Sequence, residues 1–326
     1  MALLLNVITW ILALAIAAWG SLALWIAGPG PPLVRVLLVL LVLLGTVVAR
    51  VAFGSWVRSA SLTFVTATAL LAWWSTLTPS SDGDWAPDVA RMPTAEVRGD
   101  QLTLRNVRNF DYRTETDFVP RYEDRTYDLS KLVGLDLFVS HWGSPAIAHT
   151  IMSWEFSDGP PLAISIETRK QRGQEYSAVD GFFRQYALIY IPADERDVIR
   201  LRTNYRGETV YLYRLKVPVA KARDLLMEYV QQMNSLAKQP EFYNALTDNC
   251  TTAIRSNAES AGGNVPWSWK LLLTGYVDEM LYERDRLRGG SLPFERLKEM
   301  SQIDARAKAS DQDPEFWRRI REGLPE

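Results

Sequence analysis

The chain has 326 residues, with 36 Lys and Arg against 38 Asp and Glu and a formal net charge of −2. Through Thr78 there is no Asp or Glu and only Arg35, Arg50 and Arg58 are basic, so the remainder carries a net charge of −5. A mildly acidic domain behind a greasy N-terminus excludes a nucleic-acid binder, which needs a basic stripe or patch. A hydrophobic content of 48% excludes intrinsic disorder.

Residues 3–27 are apolar apart from Asn6, Thr9 and Ser21, and residues 33–49 apart from Arg35 and Thr46. Each is long enough to cross a bilayer core, which takes about 20 residues of helix. Gly28-Pro29-Gly30-Pro31-Pro32 between them cannot continue a helix and predicts a tight turn. A third span is expected over 59–77, diluted by Ser59, Ser61, Thr63, Thr66 and Thr68 but ending in Trp73 and Trp74, residues suited to a membrane interface. Arg50 and Arg58 flank the second loop and place it in the cytoplasm, which puts everything after Pro79 outside. The expected organisation is a membrane anchor over 1–78 with three transmembrane helices, a linker over 79–98 and a soluble domain over 99–326. The soluble part, about 240 residues, can build its own core.

From about residue 90 short alternating runs predict strands: Leu135 to His141, Ile147 to Phe156, Leu162 to Thr168, Ala187 to Ile191, Val198 to Thr203 and Val210 to Val217. After Pro218 the period becomes helical, with Val219, Ala222, Leu226, Val230, Met233 and Ala237 on one face. A second helix is expected from about Asp248 to Gly262-Gly263, and further helices over Leu271 to Arg284, Leu292 to Met300 and Pro314 to Arg321. Strands followed by helices make the fold class α+β.

The chain has one cysteine, Cys250, and two histidines, His141 and His149. No internal disulfide can form, zinc sites built from several Cys and His are excluded, and no cofactor or metal site is expected. Cys250 stands in Thr247-Asp248-Asn249-Cys250-Thr251-Thr252, at the start of a predicted helix. There the helix dipole and unsatisfied N–H groups stabilise a thiolate, and the N–H groups around Asn249 and Thr251 can hold an oxyanion. Asp248 opposes the thiolate, so a positive partner is wanted. His149, within a predicted strand, is one candidate, and His141, at the end of the preceding strand, is its rival. Ser165 or Glu167 on the next strand is near enough to orient an imidazole, Glu167 being the better acceptor. The alternative is a small buried cysteine with no chemistry. Arg169-Lys170-Gln171-Arg172 reads as a solvated loop, and Phe182-Phe183, Trp267 and Trp269 as core.

Phe242-Tyr243-Asn244 through Asn249-Cys250-Thr251-Thr252, with an upstream strand reading Ala148-His149-Thr150, resembles the bacterial Lnb N-terminal periplasmic domain family. That family pairs an Asn-Cys-Thr-Thr helix start with a Gly-His-Thr strand, and here Ala148 replaces the glycine. The resemblance extends from about Leu102 to Pro325, through Gly275-Tyr276, Ser291-Leu292-Pro293-Phe294 and Ile320-Arg321-Glu322-Gly323-Leu324-Pro325. It implies a papain-like thiol fold in circularly permuted order, an antiparallel sheet carrying the histidine before the cysteine helix and C-terminal helices. More distantly the chain resembles membrane-associated thiol acyltransferases.

The resemblance implies Cys250 and His149 as a catalytic pair, and N-acylation of lipoproteins, an acyl chain passing from membrane phospholipid through an acyl-cysteine to an amine. The expectation is therefore a cysteine-dependent acyltransferase or hydrolase in the bacterial inner membrane, its domain facing the periplasm. Its partners would be phospholipid and a lipoprotein acceptor, with no nucleic acid. Two alternatives stand: a cysteine amidase or peptidase acting on peptidoglycan, and a non-catalytic membrane-tethered interaction module.

Overall fold

A computed structural model describes residues 2–53, 56–245, 247 and 249–325. Gly54, Asp248 and the Arg50 side chain, on which the sequence reading draws, lie outside what is described. The chain forms two units: Met1–Pro79 with Ser177–Tyr186, and Ser80–Tyr176 with Ala187–Glu326.

The first unit holds three helices, α1 (Ala2–Ala27), α2 (Pro32–Phe53) and α3 (Trp56–Thr76). The predicted turn separates α1 from α2, with Gly30 at a φ of 73° that favours glycine. Arg35 folds back over this turn, donating to the carbonyls of Ile26 and Gly30 at 3.3 Å each. Helices α1 and α3 approach closely. Trp19 meets Trp74 edge-on with ring centroids 5.4 Å apart. A Cβ at Gly20 would meet the tip of the Leu70 side chain, so the glycine lets that leucine pack close to α1.

Among the described residues two segments, not the three expected, are long and apolar enough to cross a membrane: Leu3–Ala27 and Pro32–Ala49. In α3 the Ser and Thr content lowers the hydropathy. Three of these hydroxyls nevertheless bond within the helix, Ser61, Thr63 and Thr68 donating to the carbonyls of Val57, Ser59 and Phe64. A short helix, α4 (Ala178–Phe182), belongs to this unit by contact. Beside it Phe183 meets Trp74 at 6.3 Å, and Arg184 stacks over the same indole at 4.6 Å.

The second unit is built on one sheet. Its strands are β1 (Thr94–Arg98), β2 (Gln101–Arg108), β5 (Tyr122–Asp128), β6 (Leu132–His141), β7 (Ala148–Phe156), β8 (Leu162–Arg169), β9 (Ala187–Ala193) and β10 (Thr209–Arg214). A small hairpin, β3 (Asp111–Tyr112) with β4 (Phe118–Val119), stands apart. The order is β1-β2-β9-β8-β7-β6-β10, with β5 also on β2, and every pairing is antiparallel except β2 with β9. The helices are α5 (Glu195–Arg200), α6 (Val219–Lys238), α7 (Cys250–Ser260), α8 (Val277–Glu283), α9 (Phe294–Ser301), α10 (Asp304–Ala309) and α11 (Phe316–Arg319). The fold is α+β, as the sequence indicates.

Both faces of the central strands are covered, which is why β6 to β9 read as nearly continuous apolar runs. On one face Trp154 and Tyr190 pack against Tyr229 of α6, and the Trp154 indole donates to the Ala222 carbonyl at 2.8 Å. On the other, Phe138, Ile151, Ala163 and Ile189 pack with Ile199, Ile303, Phe316 and Ile320.

Two expectations fail. Thr94–Arg98 lies in the stretch read as linker yet forms β1, hydrogen-bonded along its length to β2. Val198 to Thr203, read as a strand, is the end of α5 followed by a π-helical turn over Leu201–Tyr205. Its alternating pattern is overridden by a strong helix start: the Asp194 side chain caps the N–H of Arg196, and Glu195 and Asp197 occupy the first turn.

Candidate active site

Helix α7 begins at Cys250 because Asn249 caps it. Asn249 is extended (φ −75°, ψ 171°), and its side-chain oxygen accepts from the N–H groups of Thr251 and Thr252 at 3.0 and 2.9 Å. Its amide in turn donates to the Ala245 carbonyl at 3.1 Å. The cap therefore occupies Thr251 N–H, one of the two oxyanion donors expected there. In the first turn this leaves the N–H of Cys250 itself.

The helix lies on the strands that carry the histidine. Thr251 and Thr150, both buried, bring their hydroxyls to 3.4 Å, and farther along Asn257 donates to the Tyr190 hydroxyl at 2.9 Å. Cys250, the only cysteine, is buried.

His149 is the second residue of β7 and stands opposite Ser140 of β6. On its other side Ile151 pairs with Ser165, so continuing the antiparallel register brings Glu167 across from His149. The side chains meet accordingly. His149 Nε2 lies 2.7 Å from Ser165 Oγ and 3.2 Å from Glu167 Oε1, and Ser165 Oγ donates to Glu167 Oε1 at 2.7 Å. Since the Ser165 proton is committed to Glu167, Nε2 is the nitrogen that donates, and Nδ1 is left to exchange a proton with Cys250.

The charges follow from this geometry. Burial pushes the Cys250 thiol up, but the charge of and hydrogen bond to His149, with hydrogen bonds from Thr150, bring it down to about 7. Burial opposes imidazolium at His149, and Arg202 does too, yet Glu167 and Cys250 raise it to about 9. Burial likewise works against ionised Glu167, but His149 first, then Arg202 and Ser165, hold its carboxyl well below the usual carboxylate range. Between the two values the pair is thiolate and imidazolium.

Behind Glu167 stands Arg202, a residue that sequence reasoning missed. It is buried, donates to Glu167 at 3.1 Å and to Glu208 at 2.9 Å, and Glu208 accepts from Ser140. Arg202 reaches this place from the π-helical turn after α5, in the segment read as a strand, so no signal of spacing pointed to it.

His141 belongs elsewhere. It ends β6, pairs with Thr209 of β10, and meets the Tyr211 ring edge-on at 5.5 Å. Burial and then Lys298 lower its pKa, with Asp278 opposing them. Of the basic run, Arg169 is buried, bonded to the Val89 and Ala90 carbonyls and stacked 4.2 Å over Trp85, so it braces the fold. Phe183 is buried as expected, but Phe182, Trp267 and Trp269 are exposed and do not belong to the core.

Residues 118–275 match the family described as the Lnb N-terminal periplasmic domain. This is the family whose motifs the sequence shows, over a shorter stretch than Leu102 to Pro325, and it spans His149, Glu167, Arg202 and Cys250. No similar protein is found among curated proteins and no similar fold among solved structures. The match lies behind two apolar N-terminal helices, the arrangement of a membrane-anchored protein with a periplasmic domain.

Proposed function

From an Lnb-type periplasmic domain whose one cysteine heads a helix beside a carboxylate-backed histidine, we propose a thiol acyltransferase that takes its acyl chain from membrane phospholipid. The Cys250 thiolate attacks the ester carbonyl, and the oxyanion is met by the N–H of Cys250 at the helix start. The carbon–oxygen bond breaks, the leaving alkoxide takes its proton from His149, and lysophospholipid departs, leaving a thioester on Cys250. An amine, or water, then attacks the thioester, His149 accepts its proton, and the thiolate is regenerated with its imidazolium partner. Glu167 and Ser165 hold the ring for both transfers.

The observation that carries this reading is the His149–Ser165–Glu167 arrangement, with Nε2 tied at 2.7 and 3.2 Å and the thiol brought down to about 7 by the same imidazole. An inert structural cysteine has no use for such a partner. The order of histidine strand before cysteine helix is the one a permuted papain-like fold requires. The proposed location is the inner membrane, multi-pass, with the second unit on the periplasmic side. Helix α3 is the third crossing: its bonded hydroxyls meet the condition that polar groups in lipid be satisfied internally.

The test is to incubate the full chain with acyl-labelled phospholipid and no amine. Label should appear on Cys250 in a bond cleaved by neutral hydroxylamine, or as free fatty acid if water accepts it, and Cys250→Ala should abolish both. Cleavage of cell-wall fragments that depends on Cys250, with neither adduct nor fatty acid, would replace this reading by the peptidoglycan amidase.

A further inference from the structure

The segment joining α7 to α8 turns its large apolar side chains outward next to the catalytic pair. Trp267 and Trp269 are 65% and 49% exposed, and Leu272 and Leu273 are 39% and 44% exposed. This is a fixed presentation. Leu271 and Lys270 between them are buried, and Lys270 is clamped by Glu279 at 3.1 Å and Glu283 at 2.7 Å. Ser268 caps the turn over Trp269–Leu271. One end is tied to the cysteine helix, Arg255 donating to the Val265 carbonyl at 2.8 Å. The other is tied to the histidine strand: Thr274 bonds both backbone groups of Ala148, at 2.9 and 2.5 Å, and Gly275 N–H donates to Ala146 at 3.1 Å. A side chain at position 275 would run into the Pro145 carbonyl, so glycine permits this close approach. The connected β6–β7 loop adds Trp142 and Ile147, 40% and 46% exposed.

We propose that Trp267, Trp269, Leu272 and Leu273, with Trp142 and Ile147, form a surface that docks the catalytic domain on the lipid bilayer. The proposal deepens the functional reading above and rests on it for the choice of lipid as substrate. Several large apolar side chains exposed on neighbouring segments mark an interaction site, and three features commit it to a membrane. The same chain carries two helices of membrane-crossing length and hydropathy. Helix α3 is packed against the first of them through Trp19 and Trp74, and only residues 77–84 separate its end at Thr76 from Trp85 of the second unit. Eight residues reach at most roughly 28 Å. The chemistry also fits: residues 262–273 contain no Asp or Glu, and their one charge, Lys270, is paired with Glu279 and Glu283 of α8. Tryptophans suit the headgroup level and leucines the acyl boundary. Docking there brings Cys250 to the depth of the ester without withdrawing a whole lipid into water.

Because Cys250 is the only cysteine, the surface can be probed cleanly in the full chain. A nitroxide is attached at Leu272→Cys, or at Trp267→Cys, in a Cys250→Ser background, and the protein is reconstituted in phosphatidylcholine–phosphatidylglycerol vesicles. The label should be more accessible to oxygen than to a water-soluble nickel chelate, whereas one at Asp158→Cys in the exposed β7–β8 turn should show the opposite. Nickel accessibility at 267 and 272 equal to that at 158 would overturn the proposal. So would shielding from both reagents with spin–spin broadening, the mark of a second copy. The measurement needs no turnover, so loss of the phospholipid chemistry and loss of the docking surface are distinguishable outcomes.

Discussion

At Cys250 and His149 the burial of two ionisable groups is offset by their attraction for one another, which sets a pH window for the proposed activity. The thiol titrates at about 7 and the imidazolium at about 9. As pH falls through about 7 the thiolate is protonated. As it rises through about 9 the imidazolium proposed to protonate the leaving alkoxide is lost. Acylation should therefore follow a bell with these limbs, and alkylation of Cys250 by iodoacetamide should show only the acid limb. His149→Ala removes the largest influence lowering the thiol, so its alkylation midpoint should move above about 7. Cys250→Ala and His149→Ala should each reduce turnover by about 10³-fold or more, because a nucleophile and its base fail together. His141→Ala should be mild, since that ring rests on Tyr211. The meeting of Cys250 with His149 is legible in the sequence because one cysteine and two histidines leave few combinations. The occupation of Thr251 N–H is not, because a side chain that can cap a helix and one that can flank an oxyanion look the same in sequence.

The elements that matter most at the site are β7, β8 and the π-helical turn. Glu167 is legible because the register of a short hairpin constrains which side chains share a face. Arg202 is hidden because Val198 to Thr203 alternates like a strand, while the capping of Asp194 decides for helix. Its charge acts through Glu167 and against imidazolium at His149, which gives two predictions of opposite sign. Arg202→Met removes an influence that lowers His149, so the alkaline limb should move up from about 9. Glu167→Gln removes the main influence that raises it, so the same limb should move down. Arg202→Met also leaves Glu167 and Glu208 without their buried cation and should cost about 3 kcal/mol or more, read as a lower thermal midpoint. A pH profile that moves in neither variant would reduce Arg202 to a brace of the fold.

On the scale of the whole chain, the proposed chemistry depends on which side of the membrane receives the second unit, and that turns on α3. Composition alone separates α1 and α2 from α3, since among the described residues only Leu3–Ala27 and Pro32–Ala49 are apolar enough to qualify as spans. Sequence hydropathy counts every hydroxyl in α3 as polar and cannot see that Ser61, Thr63 and Thr68 bond carbonyls one turn back. Those bonds remove much of the cost of entering lipid, and contact with α1 at Trp74 and Leu70 gives the helix a partner there. Arg58 and Arg50 stand beside the α2–α3 connection, where basic residues favour the cytoplasm. If α3 crosses, that connection and residue 85 lie on opposite faces; if it does not, they share one. Alkaline phosphatase, which is active only in the periplasm, should therefore be active when fused after residue 85 and inactive when fused near residue 54. Activity at both positions would leave α3 outside the bilayer with the domain still periplasmic. Activity at neither would place the domain in the cytoplasm, away from any periplasmic acceptor, and the proposed lipoprotein chemistry would fall with it.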